Sequence, residues 1–192
     1  IKVRGVFNTK RRQGKFIGAF APYGYLKNPA DKHSFIVDAV AAQVVRDIFR
    51  WFVRDGMSKN GIAKKLNEMG IPNPTAHKKQ AGFRYQNPNS PTNDALWGPK
   101  TITEILQNQM YLGHMVQGRY RVKSYKVHTQ VTTPKEEWFI VENTHDPIIQ
   151  QDLFAYAFSR RQQNEICVLS MPHIPRQVKS GLHQTQHPGG CS

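Results

Sequence analysis

The longest run of apolar residues at helical spacing lies between positions 38 and 54. Asp38 precedes it as a suitable N-cap, and Gly56 follows it. Because apolar side chains recur every three or four positions, one face of the segment is hydrophobic. We therefore predict a helix from Asp38 to about Arg54. Its apolar positions are Val40, Val44, Val45, Ile48, Phe49, Phe52 and Val53.

A shorter helix is predicted directly after the first. Ser58 is placed to cap it, and Gly70 stands where a left-handed residue commonly ends a helix. Its apolar stripe consists of Ile62, Ala63, Leu66 and Met69. Residues 71–100 are rich in proline and polar residues, which predicts a long loop. The basic residues of this loop favour contact with a phosphate backbone.

A third helix is predicted to open at Pro99, a first-turn position, and to end before Gly113. Apolar residues form its inward face, and the outward face carries short polar side chains. Such side chains form hydrogen bonds with base edges in DNA-binding helices, although the polar face of any amphipathic helix needs no partner. The candidate base contacts are Thr101, Thr103, Glu104 and Asn108.

The second half of the chain mixes strand and helix patterns. Residues 114–131 alternate apolar or aromatic with basic residues, and 138–142 form a compact strand candidate, which together indicate a β-ribbon. Asp146 and Pro147 are expected to start a last helix. Its buried stripe is predicted to be Ile149, Leu153, Phe154, Ala157 and Phe158. Beyond Gln163 the polar, irregular sequence predicts a linker or disordered tail.

The N-terminal residues 1–16 contain six Lys or Arg and no acidic residue. We interpret them as the C-terminal end of a longer basic helix, the alternative being a solvated run of charge. A flexible connector is expected over Gly14–Tyr25, where glycine and proline interrupt any regular pattern. The connector residues of interest are Gly18, Pro22, Gly24 and Tyr25.

These elements predict an α+β fold that is mainly helical. It consists of a helix-turn-helix-like helical module with a small β-ribbon, preceded by the end of a long basic helix. We divide the chain into the helix end (1–16), the main domain (17–163) and the tail (164–192). Hydrophobic residues make up 39% of the chain, enough for the core of one ordinary domain.

Charge indicates the kind of partner. There are 27 Lys and Arg against 13 Asp and Glu, which gives a formal net charge of +14 and a pI near 10. Nucleic acid is the partner that this excess favours, because neutralised phosphates release condensed counterions. A membrane surface is disfavoured, since the sequence has neither a lipidation motif nor an apolar run long enough to span a bilayer.

Catalytic and metal-binding signatures are missing from the sequence. It has no phosphate-binding loop, no GxGxxG after a strand, no HExxH and no GxSxG. His183, His187 and Cys191 are evenly spaced, but no CxxC knuckle accompanies them or Cys167 and His173, so we expect no metal and no cofactor. Two cysteines form no disulfide framework, which fits a reducing compartment.

Four ordered blocks of the sequence resemble the DNA-binding "recombinase" domain of large serine site-specific recombinases, the phage integrases and transposon resolvases of mobile genetic elements. They are GKFIGAFAPYGY (14–25), VVRDIFRWFVRDGMSKNGIAKKLNEMGIPNP (44–74), WGPKTITEILQNQMYLG (97–113) and HDPIIQQDLF (145–154). Two departures stand out. Gln109 replaces a proline usual in the family, which predicts a slightly longer third helix, and residues 164–192 do not resemble the zinc ribbon expected next.

The resemblance implies a division of labour. A separate catalytic domain holds the nucleophilic serine, a basic helix leads from it along DNA, and the present domain recognises one attachment half-site. We expect a non-catalytic fragment, beginning at Ile1 as a piece of a longer bacterial or phage-encoded protein. The whole protein is expected to act in DNA integration in the cytoplasm and to form dimers or tetramers through other domains. Residues 18–25 are expected to cross the minor groove.

Duplex DNA is the expected partner, held through its phosphates by basic side chains. The candidate phosphate contacts are Lys10, Arg11, Arg12, Lys15, Arg119, Arg121, Lys123 and Lys126. Two alternatives stay open from the sequence. One is a helix-turn-helix transcriptional regulator with no role in recombination, and the other is a protein–protein interaction module without duplex affinity.

Overall fold

The computed structural model describes residues 2–84, 96–122 and 129–170. Its helices are α1 (Lys2–Arg12), α2 (Ala39–Val53), α3 (Lys59–Glu68), α4 (Pro74–Gln80), α5 (Pro99–Leu106) and α6 (Gln151–Ser170), with 3-10 helices at Gln109–Leu112 and Lys135–Glu137. Three antiparallel strand pairs are β1 (Tyr25–Lys27) with β2 (Phe35–Val37), β3 (Met115–Gln117) with β6 (Phe139–Val141), and β4 (Tyr120–Val122) with β5 (Gln130–Thr132). The predicted α+β class is confirmed.

Helix α2 is the centre of the core. Its N-cap is Asp38, whose carboxylate accepts hydrogen bonds from the Val40 and Ala41 amides at 3.2 Å. Val45, Ile48 and Phe49 are fully buried, and α2 packs against α3, α5 and α6. Most of its predicted apolar face is therefore the real core face.

Two expected members of the apolar stripes lie in solvent instead. Val40 is 77% exposed, and it lies in the first turn of α2 at the edge of the buried arc. Met69 is 56% exposed because it is the C-cap of α3, one residue past the last packed turn. Gly56 and Gly70 have φ values of +72° and +65°, as expected for residues that end helices.

The long loop predicted for residues 71–100 is wrong in its first part, which forms α4. Asn73 caps this helix by accepting a hydrogen bond from the Ala76 amide at 2.8 Å, and Pro74 occupies its first turn. The Asn73 side-chain amide also donates to the Leu96 carbonyl at 2.9 Å. This hydrogen bond connects the start of α4 to the residues just before α5. The Asn-Pro pair was the sequence signal for this helix.

The third and last predicted helices have different bounds in the structure. Helix α5 ends at Leu106, and Asn108 then caps the short 3-10 helix, so the expected extension through Gln109 is wrong. Helix α6 starts at Gln151 and not at Asp146, because the amides of Ile148 and Ile149 donate to the Tyr111 carbonyl.

The far end of α6 also differs from the expectation. The helix runs past Gln163 to Ser170, through residues that we expected to be irregular. Phe158, expected to be buried, is 38% exposed. The described residues end at 170, so the three-part division of the chain stays a prediction.

The predicted flexible connector is in fact folded into the core by tyrosines. Tyr23 and Tyr25 are 8% and 4% exposed. The Tyr25 hydroxyl donates to the Asp146 carbonyl at 2.9 Å, and the Tyr111 hydroxyl donates to the Tyr23 carbonyl at 2.9 Å. Burial raises the pKa of Tyr23 to about 12 and raises those of Tyr25 and Tyr111 further, so all three phenols are neutral.

His145 lies beside this tyrosine group. Its ring packs edge-on to Tyr25, with centroids 4.8 Å apart. Nε2 is 2.8 Å from the Met110 carbonyl, which only accepts, so Nε2 carries the proton and donates. Nδ1 lies 2.8 Å from the Thr144 hydroxyl oxygen, and this hydroxyl is also 3.2 Å from the Gly113 carbonyl. Each ring nitrogen of His145 thus has a polar neighbour, and burial lowers the pKa of the imidazole.

We expect Tyr25→Phe to lower the free energy of unfolding by about 1–3 kcal/mol, because the Asp146 carbonyl loses its donor in a partly buried place. Urea unfolding followed by helical circular dichroism measures the change. Tyr120→Phe is the matched control, since Tyr120 is 56% exposed, and it should be nearly neutral. Equal losses in both variants would contradict the role given to Tyr25.

Acid is expected to weaken the fold through His145. Its folded pKa is below the unfolded value of about 6.5, so its contribution is fully present above that pH and is lost as pH falls through the folded pKa. Unfolding free energies of the wild type and His145→Gln, measured between about pH 7.5 and pH 4.5, test this. The wild type should lose more stability on acidification than the variant, and parallel pH profiles would refute the assignment.

Candidate nucleic-acid interface

The basic end of α1 is held against the β-ribbon. The Arg11 guanidinium lies over the Phe139 ring, 5.6 Å from its centroid, and one of its terminal nitrogens donates to Asn8 Oδ1 at 2.9 Å. Gly14 follows with φ +71°, so tightly packed that a Cβ would lie 2.8 Å from the Thr144 methyl carbon. Only glycine fits there, and the close packing sets where α1 leaves the domain.

The backbone just after α1 is fixed by two polar side chains. Gln117 donates to the Lys15 carbonyl at 2.9 Å and accepts from the Ile17 amide at 3.1 Å. His33 Nδ1 donates to the Phe16 carbonyl at 2.7 Å, which leaves its Nε2 to accept from Lys10 Nζ at 3.3 Å. The turn is therefore bonded to both β3 and the β1–β2 hairpin.

A basic groove runs across this junction. It consists of three adjoining depressions. The first lies between α1 and the ribbon, and the second joins it through shared lining residues Arg11, Gly118 and Tyr120. The third lies next to the end of α5 and shares Val116 and Arg119 with the second. The cations that line the groove are Arg11, Arg12, Arg119, Arg121, Lys135 and Arg161.

Positive charge dominates the groove. Six cations line it, and Glu136 and Glu137 are the acidic residues among the lining residues of its described part. Glu137 lies 3.6 Å from Arg121, but both side chains are more than half exposed, so the pair is weak. The Arg119 guanidinium lies over Trp138, 5.4 Å from the ring centroid. Such a surface attracts a polyanion.

Four of the eight candidate phosphate contacts meet in this groove: Arg11, Arg12, Arg119 and Arg121. Lys15 is exposed beside it, and Lys10 is partly covered where it meets His33. Lys123 and Lys126 lie outside the described residues. The sequence interpretation missed Lys135 and Arg161, because each comes from a different element and only the fold brings them to Arg119.

The candidate base contacts are divided by the fold. Asn108 lines the third depression, whereas Thr101, Thr103 and Glu104 are not among the lining residues of the described groove. The Thr103 hydroxyl donates to the Pro99 carbonyl at 2.9 Å inside its own helix. Asn108 Oδ1 accepts from the Met110 amide at 3.2 Å, as a cap. None of this tests DNA contact, and the four assignments stay predictions.

The connector residues Gly18, Pro22, Gly24 and Tyr25 make contacts within the domain. Gly24 is buried at φ +94°, and a Cβ at this position would lie 3.0 Å from Ile148 Cδ1 and 3.2 Å from Val45 Cγ2. The Gly18 carbonyl accepts from Lys27. Pro22, Gly24 and Tyr25 line an apolar cavity of about 430 Å³ beside α4. A minor-groove role for residues 18–25 stays a prediction.

No cluster of three or more potential metal ligands occurs within residues 2–84, 96–122 and 129–170. The histidines and cysteine near the C-terminus, His173, His183, His187 and Cys191, lie outside those ranges. Among the helices that the structure describes, none is long and apolar enough to cross a membrane.

Solved structures resemble this fold. A chain in "Crystal Structure of a LSR-DNA Complex" is 14% identical, with a TM-score of 0.52 over 86% of the present chain and 39% of its own length. A second chain, in "Sequence Requirements of the Listeria innocua prophage attP site", is 15% identical, with a TM-score of 0.48. The match covers 84% of the present chain and 52% of that chain. The present chain thus spans about two fifths of the first.

The fold class is that of an α+β recombinase domain. The Recombinase family model matches residues 39–164, about two thirds of the chain. The chain belongs to the Recombinase family. The match starts at the beginning of α2 and ends within α6, so it covers the helical core and the ribbon. This confirms the family that the four sequence blocks indicated.

Gln117 is expected to be essential for the geometry of the groove. Gln117→Leu keeps the volume but leaves the Lys15 carbonyl and the Ile17 amide without partners, which should lower the unfolding free energy by about 1–3 kcal/mol. Gln130→Leu, on an exposed position of β5, is the control and should change it by less than about 0.5 kcal/mol. Urea titration compares the two, and equal effects would refute the bridging role.

Proposed function

We propose that this chain is the DNA-binding domain of a large serine recombinase and that it binds duplex DNA at an attachment half-site. The observation that carries the proposal is the basic groove, in which cations from α1, the ribbon and α6 meet on one surface. The family match supports the same assignment. The domain itself is non-catalytic in this proposal, because strand cleavage belongs to a serine-containing domain elsewhere in the protein.

The groove suits a phosphate backbone better than a small anion. It extends over three depressions and offers several guanidinium groups, each of which binds phosphate oxygens through paired N–H groups. Contacts of this kind position a protein on a duplex without reporting sequence. We therefore assign Arg11, Arg12, Arg119 and Arg121 to phosphates, together with Lys135 and Arg161.

The whole recombinase would place two or more such domains on each recombining site. A half-site is the natural unit for one domain, because paired domains on pseudo-palindromic DNA match the symmetry of a protein dimer. Assembly into dimers and tetramers through other domains is part of this proposal.

Removal of two groove cations should weaken DNA binding uniformly. For Arg12→Ala/Arg121→Ala we expect the same loss on attachment-site and random duplexes, and a salt slope lower by about 1.8, from about 0.9 per phosphate contact. Both side chains are exposed, so the fold should be unaffected. Fluorescence anisotropy over a range of salt concentrations measures affinity and slope together.

A double variant of equal charge is the control for this experiment. Arg50→Ala/Lys64→Ala removes two exposed cations that do not line the described groove. It should leave the salt slope nearly unchanged. If both double variants lower the slope equally, net charge and not the groove governs binding, and the assignment of the interface is wrong.

The isolated chain is also expected to bind supercoiled plasmid without nicking it. Gel shift and nicking assays on the same samples test this. Strand cleavage by the pure chain would contradict the non-catalytic assignment, and the absence of a gel shift at low salt would contradict the proposal of DNA binding.

A further inference from the structure

The third depression of the basic groove differs from the other two in chemistry. Three consecutive side-chain amides, those of Gln107, Asn108 and Gln109, form one side of it. The cations Arg119, Lys135 and Arg161 line it as well, and its lining residues include no acid. Its apolar lining comes from Val116, Trp138 and Phe158. Neutral hydrogen-bonding groups thus lie next to phosphate-binding ones.

Among Gln107, Asn108 and Gln109, the two glutamines are the residues whose side-chain amides are available to a ligand. Asn108 uses its carbonyl oxygen to cap the Met110 amide. Gln107 and Gln109 form no side-chain hydrogen bond with the rest of the described chain, and Gln109 is exposed. Gln107 is the C-cap of α5, and Gln109 is the first residue of the 3-10 helix, so the two glutamines flank Asn108. Each therefore retains both its donor and its acceptor for a ligand.

The third depression is better suited in size to the edge of a DNA base than to an enclosed small molecule. Its volume is about 140 Å³, below the range of roughly 300–1,000 Å³ typical of small-molecule pockets. A glutamine amide pairs with the N6 and N7 atoms of adenine through one donor and one acceptor. Adjacent cations on phosphates would hold the base edge in register.

From this arrangement we infer that Gln107 and Gln109 are specificity-determining residues that recognise adenine, in place of the threonines and Glu104 on α5. This inference rests on the proposed function. It moves base recognition from the outward face of α5 to the turn that follows it, where neutral amides and cations meet.

Selection of bound sequences from a randomised duplex library tests the inference. Wild type, Gln107→Ala and Gln109→Ala are compared, with Gln80→Ala as a matched control on the exposed end of α4. Either groove variant should lose an adenine preference that the wild type and the control retain. Gln109→Glu should change the selected base from adenine to cytosine, because a carboxylate accepts from the cytosine N4 amino group.

Anisotropy on the selected duplex gives the size of the effect. Each groove variant should bind it about 5- to 150-fold more weakly, while binding to a duplex with the preferred adenines replaced by guanine changes less than about two-fold. The salt slope should stay unchanged, since no phosphate contact is lost. Circular dichroism checks that the variants are folded.

The outcomes separate the inference from the proposed function. Equal weakening on both duplexes would mean that the glutamines contact phosphates, and would overturn the inference. Unchanged preferences, no preference in the wild type, or preferences that change in Thr103→Ala would also overturn it, while duplex binding itself still supports the proposed function. Failure of the wild type to bind any duplex at low salt would instead reject the proposed function.

Discussion

The burial of the segment that follows α1 is the constraint on which the rest of the structure depends. Tyr23 and Tyr25 insert their rings into the core, and Tyr25 and Tyr111 place their hydroxyls on backbone carbonyls far away in sequence. Buried phenols need such partners, because an unpaired hydroxyl in an apolar core is costly. The N-terminal helix is therefore attached to the domain at a defined position.

The attachment of α1 to the domain explains how very short strands can form part of the basic groove. Each strand of the ribbon has only three residues, and an isolated pair of that length is marginal in water. Side-chain contacts supply what the strands lack: Arg11 on Phe139 and Gln117 on the turn after α1 join the ribbon to the N-terminal segment, and Arg119 on Trp138 joins its two parts. The same contacts bring the cations of separate elements together, so stability of the ribbon and formation of the groove have a common cause.

Charge in the groove is balanced differently along its length. The α1 end contains Glu136 and Glu137 beside its arginines, whereas the α5 end has amides and cations without acids. Exposed acids weaken attraction to any polyanion, and neutral amides report on the chemistry of a base edge. In the proposed function, the α5 end thus combines phosphate contacts with base recognition, whereas the α1 end provides phosphate contacts alone.

The sequence by itself determined the elements whose signals are local. The Asp38 cap and the apolar periodicity of α2 give the central helix, Ser58 and Gly70 delimit α3, and four motif blocks give the family. The excess of Lys and Arg indicated the class of partner. These features are predictable because helix caps, helical periodicity and net charge each depend on neighbouring residues or on composition.

Only the tertiary structure decided which of those residues meet. Tyr25 looked like part of a flexible connector, yet its hydroxyl bonds to a carbonyl more than a hundred residues away. In the folded chain, the candidate base contacts on α5 do not line the described part of the groove that contains the cations. Lys135 and Arg161, from other elements, line it next to Arg119. Long-range packing and hydrogen bonds set these positions, and they leave no periodic signal in the sequence because their partners are not at a fixed spacing.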